Sequence, residues 1–276
     1  MSPLLAPTVF VILTVALVRL DWRQTLAYAR RPGLLVLVLL WLLGLSPLAT
    51  MLVVALTAPP PGLATAIVLM SAAPPIMSSI AFTLLLRLDT PLATVAVFLA
   101  TLLVPLTLPP LALALLDLRL AVDVGELMLR IGVLAFGAAG AAALIRRLVP
   151  ARILTDRADE IDGLAVLMLL FFGIAIMDGV TATLFRDPAL VALTVGLAFA
   201  ANVALQAAGA GLFWWLGRRQ AVTVALISGN RNMGLLLAAL AGTADPEVAL
   251  YFAVGQLPIY VLPLLLRPLY RRLAVV

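Results

Sequence analysis

The sequence predicts an all-α polytopic membrane protein: nine transmembrane helices in an inverted repeat with two broken, crossing helices. Three observations predict it. Hydrophobic residues make up 64% of the 276 residues and charged residues 11%, whereas a typical soluble domain carries about 25% charged residues. All 18 basic residues are Arg, and they gather in short loops. Two of the apolar runs are interrupted near their middles, at Pro74-Pro75 and at Ser228-Gly229-Asn230-Arg231-Asn232.

A span needs about 20 apolar residues, and nine segments qualify. Leu4 to Val18 is short and runs into a polar connector, Arg19 to Arg31. Gly33 to Leu56 contains Pro47, and a tight loop, Ala58-Pro59-Pro60-Pro61-Gly62, follows it. Leu63 to Leu86 is broken at Pro74-Pro75, and Pro91 to Leu116 carries Pro105, Pro109 and Pro110. After an acidic loop with Asp117, Asp123 and Glu126, the run Leu127 to Ile145 is rich in Gly and Ala. Such a helix packs closely against a neighbour. Arg146 to Asp162 is the longest polar connector. Gly163 to Phe185, Ala189 to Leu216, Gln220 to Ala241 and Val248 to Leu266 complete the set. Trp214-Trp215 closes the seventh at an interface, and the eighth is the second broken span. The first span has no basic stretch before it and no small-residue cleavage site after it, so it reads as a retained span.

Arginine sets the orientation. With the N-terminus outside, the inner loops and tail hold Arg19, Arg23, Arg30, Arg31, Arg87, Arg146, Arg147, Arg152, Arg157, Arg218, Arg219, Arg267, Arg271 and Arg272, and the outer side holds Arg119, Arg130 and Arg186. The excess on one side follows the positive-inside rule and puts the C-terminus in the cytoplasm. The net charge of +5 therefore reports topology, and the partners expected are a lipid bilayer and no nucleic acid. The setting implied is the inner (plasma) membrane of a bacterium. There is no Cys and no His, which removes disulfides, thiol chemistry, His metal sites and His proton shuttles. No nucleophile elbow, zinc-protease or phosphate-loop pattern occurs. The chain reads as a non-enzyme with no cofactor and no metal.

The two broken spans enter from opposite sides, and the pairing extends outward: spans one to four match spans six to nine. The chain is then one transporter domain, 1–276, with a first repeat over about residues 4–116 and a second over about 127–266. Matching interruptions in oppositely oriented halves point to a transporter's binding site. Pro75 is expected at the first position of a new half-helix, where its missing N–H costs nothing, with Ser78 and Ser79 just behind it. Asn230 or Asn232 is expected to cap the second half-helix. Half-helix N-termini offer N–H groups and partial positive charge that suit an anion or carboxylate.

Arg231 is the main anomaly, because a charged residue at a bilayer centre marks a functional site by default. It reads first as a substrate or coupling residue and second as a structural one bonded to the crossing's own carbonyls. The substrate set expected is Ser78, Ser79, Asn230, Arg231 and Asn232. Asp178 lies about four residues, roughly 6 Å, outward of the sixth span's centre; it either sits near the outer interface or is the partner of Arg231 or a proton carrier. Asn202 and Gln206 share a helix face at i, i+4. They are set to hydrogen-bond between helices, with cavity lining second; Gln256 after Gly255 is similar.

These residues resemble a known family. Ser71-Ala72-Ala73-Pro74-Pro75-Ile76-Met77-Ser78-Ser79, continuing through Arg87-Leu88-Asp89 to Pro105, resembles the crossover region of the bile acid:sodium symporter family. Gly229-Asn230-Arg231-Asn232-Met233-Gly234-Leu235 is similar to its second crossover, and Leu20-Asp21-Trp22 before Arg30-Arg31-Pro32 to its first inner connector. The resemblance covers nearly the whole chain, minus the family's first helix. It implies a panel domain, a core domain and alternating access between them. It also implies sodium sites, but the family's ligand positions fall here on Ile227, Arg231, Ile80, Ala93, Val97 and Leu42, with only Ser79 and Asn232 retained. The absence of Cys separates the chain from arsenite-exporting relatives, where a thiol is part of the resemblance. The expectation is a secondary transporter of a small organic anion that is not coupled to sodium. The alternatives are a sodium-coupled bile-acid-like symporter and a non-transporting receptor or assembly protein with a structural Arg231.

Overall fold

The computed structural model describes residues 4–20, 28, 31–116, 123–177, 179–240 and 243–274. Among these the chain is helical, with one isolated β-bridge. In order the helices are α1 (Leu5–Val18), α2 (Pro32–Leu40), α3 (Ser46–Thr57), α4 (Pro61–Ala72), α5 (Ser78–Leu85), α6 (Thr90–Leu116), α7 (Val124–Leu148), α8 (Ala151–Asp156), α9 (Ala158–Ile176), α10 (Val180–Arg186), α11 (Pro188–Leu212), α12 (Arg218–Gly229), α13 (Met233–Ala239), α14 (Pro246–Val254), α15 (Gln256–Leu265) and α16 (Arg267–Ala274). Among the described residues, six helical stretches are long and apolar enough to cross a membrane: Pro32–Thr57, Thr90–Leu116, Val124–Leu148, Ala158–Arg186, Pro188–Leu212 and Pro246–Leu265. The protein is a polytopic membrane protein. α1 and α4 are shorter apolar helices.

Proline and acidic side chains set many helix starts. Pro32, Pro61, Pro188 and Pro246 occupy first-turn positions, where the lost N–H has no partner to lose. Asp123, Asp187 and Asp245 cap α7, α11 and α14 by accepting from Gly125 N, Leu190 N and Glu247 N at 2.9, 2.9 and 2.8 Å. The connector expected over 146–162 is largely helical instead, because Asp159 and Glu160 in the first turn of α9 favour a helix start there. Between α2 and α3 the helix widens into a π-helical turn, Trp41–Leu45. α14 and α15 meet at Gly255, an interruption the sequence reading did not anticipate.

α1 packs between α7 and α9, and α7 also packs on α6. Gly137 allows the close approach expected of the Gly/Ala-rich helix: a Cβ there would lie 3.1 Å from the Phe10 ring of α1. Elsewhere α12 lies along α11, α4 lies against α3 and α14, and α13 packs against α1 and α7 as well as α14. Hydrophobic side chains on the outside, such as Leu167, Leu170 and Ile174 of α9, are the lipid-facing surface of a membrane protein.

Arginine does more than mark loops. Arg146 Nη1 donates to Val18 O and Leu20 O at 2.7 and 3.0 Å, closing the C-terminus of α1. Arg219 donates to Leu88 O at 3.0 Å. The Arg146 position suits a cation because carbonyls at the C-terminal end of a helix lack N–H partners.

Beside Arg219 a polar cluster ties the first connector to the two broken spans. Tyr28 OH donates to Asp89 Oδ2, and Gln220 Nε2 donates to the Tyr28 oxygen at 3.0 Å and to Asp89 Oδ2 at 3.3 Å. Asp89 N donates to Thr223 Oγ1 at 2.9 Å, while Asp89 Oδ1 accepts from Leu92 N at 3.2 Å at the start of α6. Burial, then the hydrogen bond to Asp89, pushes the Tyr28 phenol up from 10.0 to about 12. A proton held more tightly in the folded state stabilises the fold below the unfolded value, and that stabilisation is lost as pH rises through the folded one. We therefore expect stability to fall between pH 10 and about 12 through Tyr28. The tyrosinate absorbance of wild type minus Tyr28→Phe should show a phenol ionising well above 10; a difference titrating at 10 refutes the cluster.

Candidate functional site: the crossing and its cavity

The first break begins at Ala73. Proline disfavours the α region for the residue before it, and Ala73, before Pro74, is extended (φ −63°, ψ 152°) and ends α4. The second break follows Gly229, where Asn230 leaves the helical region (φ −85°, ψ 86°). The extended residues run antiparallel and pair: Ile76 N donates to Asn230 O at 2.9 Å, and Asn232 N donates to Pro74 O at 2.7 Å. Pro75 and Arg231 stand opposite each other between those bonds. At that place in an antiparallel ladder neither facing residue needs its own N–H, so a proline fits. Pro75 is therefore in the bridge and not at the start of a half-helix as expected; α5 begins three residues later at Ser78. Asn232, rather than Asn230, caps the second half-helix, accepting from Leu235 N at 3.0 Å.

Arg231 is fully buried. Its Nε donates to Ser228 O at 2.6 Å, Nη1 to Leu42 O and Ala73 O at 2.8 and 2.9 Å, and Nη2 to Ser46 Oγ at 2.8 Å. Each carbonyl is available because a helix is interrupted. In the π-helical turn Ser46 N bonds to Trp41 O, so the next amide, the one that would reach Leu42 O, belongs to Pro47, which has none. Ala73 and Ser228 stand at the C-terminal ends of α4 and α12, where carbonyls are free and the helix dipole is negative. Four of the five guanidinium N–H groups are thus bonded inside the chain. The Asp178 expected as the partner of Arg231 lies outside the described residues; among those described, no carboxylate forms an ion pair with Arg231.

Asn202 and Gln206 are turned to the backbone of the crossing. Asn202 Nδ2 donates to Gly229 O at 2.9 Å and to Asn230 Oδ1 at 3.3 Å. Gln206 Nε2 donates to Asn202 Oδ1 at 2.6 Å, and Gln206 Oε1 accepts from Tyr270 OH. Trp41 Nε1 donates to Ser228 Oγ at 2.8 Å. Gly229 makes this contact between α11 and α12 possible: a Cβ there would stand 2.6 Å from Asn202 Oδ1 and 2.7 Å from Asn202 O.

On another side of the crossing is a cavity of about 220 Å³. Val9, Ile12 and Ala16 of α1 and Leu169 and Phe172 of α9 form its apolar walls. Its polar groups come from Ser78, Asn232, Gln256 and Tyr260, with Arg19 and Asp162 beside α1 and α9. Arg19 and Asp162 form a two-point ion pair, Nε to Oδ1 at 2.9 Å and Nη2 to Oδ2 at 3.1 Å. Ser78 and Asn232 stand at the starts of α5 and α13, so this side of the crossing carries helix N-termini and the Arg231 side carries C-termini.

Of the residues singled out from sequence, Ser78, Asn232 and Gln256 line this cavity, and Ser79, Asn202, Gln206, Asn230 and Arg231 do not. Ser79 Oγ and Asn230 Nδ2 are buried with no partner among the described residues. The sequence reading left out Tyr260, Arg19 and Asp162 as cavity groups. Tyr260 was findable, four residues after Gln256 and so on the same helix face. Arg19 and Asp162 are 143 positions apart, and no local pattern joins them.

Two substitutions test the crossing by thermal unfolding in detergent. Arg231→Gln removes donors from buried acceptors that cost about 1–3 kcal/mol each when left alone, so a Tm loss on the order of 10 °C is expected. Arg231→Lys should not rescue it, since an ammonium cannot reproduce the planar fork. Gly229→Ala should cost about 1–3 kcal/mol by overpacking against Asn202. An unchanged Tm for Arg231→Gln would show that the guanidinium does not hold the crossing together.

The comparisons with known proteins agree with the geometry in one respect and add nothing in another. No curated protein sequence matches the chain. The model of the Sodium Bile acid symporter family matches residues 6–197, which is more than half of the sequence and includes the first crossing segment. A family of membrane transporters with apolar helices is what the two interrupted, mutually paired segments call for, and by this match the chain belongs to the sodium bile acid symporter family.

Proposed function

We propose that the chain is a secondary transporter that carries a small organic anion by alternating access, without sodium. In this reading α1 with the two halves of each broken pair and the six long stretches makes nine crossings, with the N-terminus outside and the C-terminus inside. α1, α7 and α9 form the panel, and the remaining spans form the core as an inverted repeat. The observation that carries the reading is the cavity between the panel helices and the crossing, where Ser78, Asn232, Gln256 and Tyr260 meet apolar walls. Mostly apolar cavities with a few convergent polar groups are the usual form of small-ligand sites. The N-terminal ends of α5 and α13 favour negative charge there.

In this reading Arg231 positions the site without touching the substrate, since its donors are committed to Ser228, Leu42, Ala73 and Ser46. Ser79 and Asn230, whose Oγ and Nδ2 lack partners among the described residues, serve the substrate in the opposite-facing state, where movement of the panel uncovers them. Sodium coupling is disfavoured because Ile227, Ala93 and Val97 are buried apolar groups at positions where the family resemblance implies oxygen ligands. The fixed guanidinium also repels a second cation, by about 4 kcal/mol at 4 Å and an effective dielectric of 20.

Counterflow in liposomes tests both parts. Purified protein should exchange labelled monocarboxylates, and Ala16→Phe, which fills the cavity from α1, should abolish exchange while the protein stays folded by Tm. Rates in sodium and in choline at equal ionic strength should agree. Saturable stimulation of several-fold by sodium, specific over potassium, would refute the sodium-free mechanism; no exchange of any organic anion would favour a receptor or assembly role.

A further inference from the structure

Among the described residues, Arg19 and Asp162 are the only charged ones lining the cavity. Their side chains are partly open, with 38% and 55% of their surface exposed. An ion pair that wet is weak. Its geometry is that of a guanidinium gripping a carboxylate through two parallel bonds, Nε to one oxygen and Nη2 to the other. Any carboxylate matches that fork equally well.

We propose that Arg19 is the cation that receives the anion's carboxylate, and that Asp162 is an internal stand-in that occupies Arg19 until the ligand displaces it. This rests on the reading of the cavity as the anion site. Three observations converge on it. Arg231, the cation the sequence offers first, has four of its donors bonded to the chain. With the pair closed the two side chains sum to zero formal charge, and Asp162 turning outward leaves +1 on Arg19, so opening the pair adds a full charge to the pull of the helix N-termini on a monoanion. The position is also supported without Asp162: Arg146 holds Val18 O and Leu20 O on either side of Arg19. Arg19 is thus set on a fixed helix end while its partner, on the first turns of α9, is exposed.

The carboxylate lies along the apolar walls of Val9, Ile12 and Phe172 with its far end towards Ser78, Gln256 and Tyr260. Inside that pocket it is less hydrated than the Asp162 carboxylate, and a charge-assisted bond strengthens as water is removed. The exchange therefore discriminates by charge: an amide of the same shape cannot replace Asp162 on the fork.

The test uses the 276-residue chain in detergent and in liposomes, with butyrate, octanoate and benzoate as probes against butyramide, octanamide and benzamide. Affinity is read from ligand-dependent Tm and from counterflow. Asp162→Asn removes the competitor and should tighten carboxylate binding by about two- to fivefold, the range an exposed ion pair is worth, with amide binding unchanged. Arg19→Gln should abolish the preference for carboxylate over amide. A structural ion pair would instead lower Tm in both variants and leave that preference alone. Full preference retained in Arg19→Gln, or no tightening in Asp162→Asn, overturns the proposal. If Ala16→Phe still binds as wild type does, the cavity is not the site and the reading beneath the proposal fails. If wild type binds none of the carboxylates, both fail.

Discussion

The guanidinium of Arg231 is the group on which the centre of the molecule depends. An Arg does not lose its charge in a protein, and placing one without partners in an apolar interior is prohibitively unfavourable. The chain meets this by interrupting three helices around it. Pro47 withholds the amide that Leu42 O would need, Pro74 ends α4 at Ala73, and the turn after Gly229 ends α12 near Ser228. Three carbonyls left over by those interruptions, with the Ser46 hydroxyl, are the acceptors that surround Arg231. Each defect would be costly alone. Together they satisfy one another, with carbonyls in need of donors supplied by a cation in need of acceptors.

The crossing also separates charge without an ion. The C-terminal ends of α4 and α12 face Arg231, and the N-terminal ends of α5 and α13 face the cavity. A positive residue is fixed at the negative helix ends, so an anion is the natural complement of the positive ends. Asn202, held by Gln206, braces the second crossing from α11 through Gly229 O. The bracing leaves no space for a methyl group at Gly229. The result is a centre held by many bonds and flanked by a cavity whose other wall is formed by α1 and α9.

Much of this was legible in the sequence, because it depends on residues that break local rules. Pro74-Pro75 and Gly229-Asn230 interrupt apolar runs, and the requirement that exposed backbone in a membrane be buried against protein implies that the two breaks meet. They do, through Ile76, Asn230, Asn232 and Pro74. The Asn202–Gln206 pair was legible from its i, i+4 spacing. What was not legible is direction. Periodicity places Arg231 in the centre but does not say towards which side of the crossing its six-bond side chain turns, and Ser46, the π-helical turn and Pro47 decide that. Pro75 was misplaced for a similar reason: its missing N–H fits a helix start and the unbonded place of an antiparallel bridge equally well, and only the partner strand distinguishes them.

Arg19 and Asp162 show the other limit. In sequence, Arg19 is one of many arginines following an apolar run, and its topological meaning is sufficient to explain it. Only the packing of α1 against α9 gives it a carboxylate and a cavity. The molecule thus holds two arginines with opposite relations to water. Arg231 is sealed and fully committed, so it can fix geometry but has little left to exchange. Arg19 is partly solvated and holds a partner that is itself exposed, so its bonds can be traded at small cost. A carrier needs both kinds of charge: one that does not move as the cavity changes sides, and one whose partner can be exchanged for the cargo. In the proposed carrier those two parts fall to Arg231, with zero exposure, and to Arg19, with 38%.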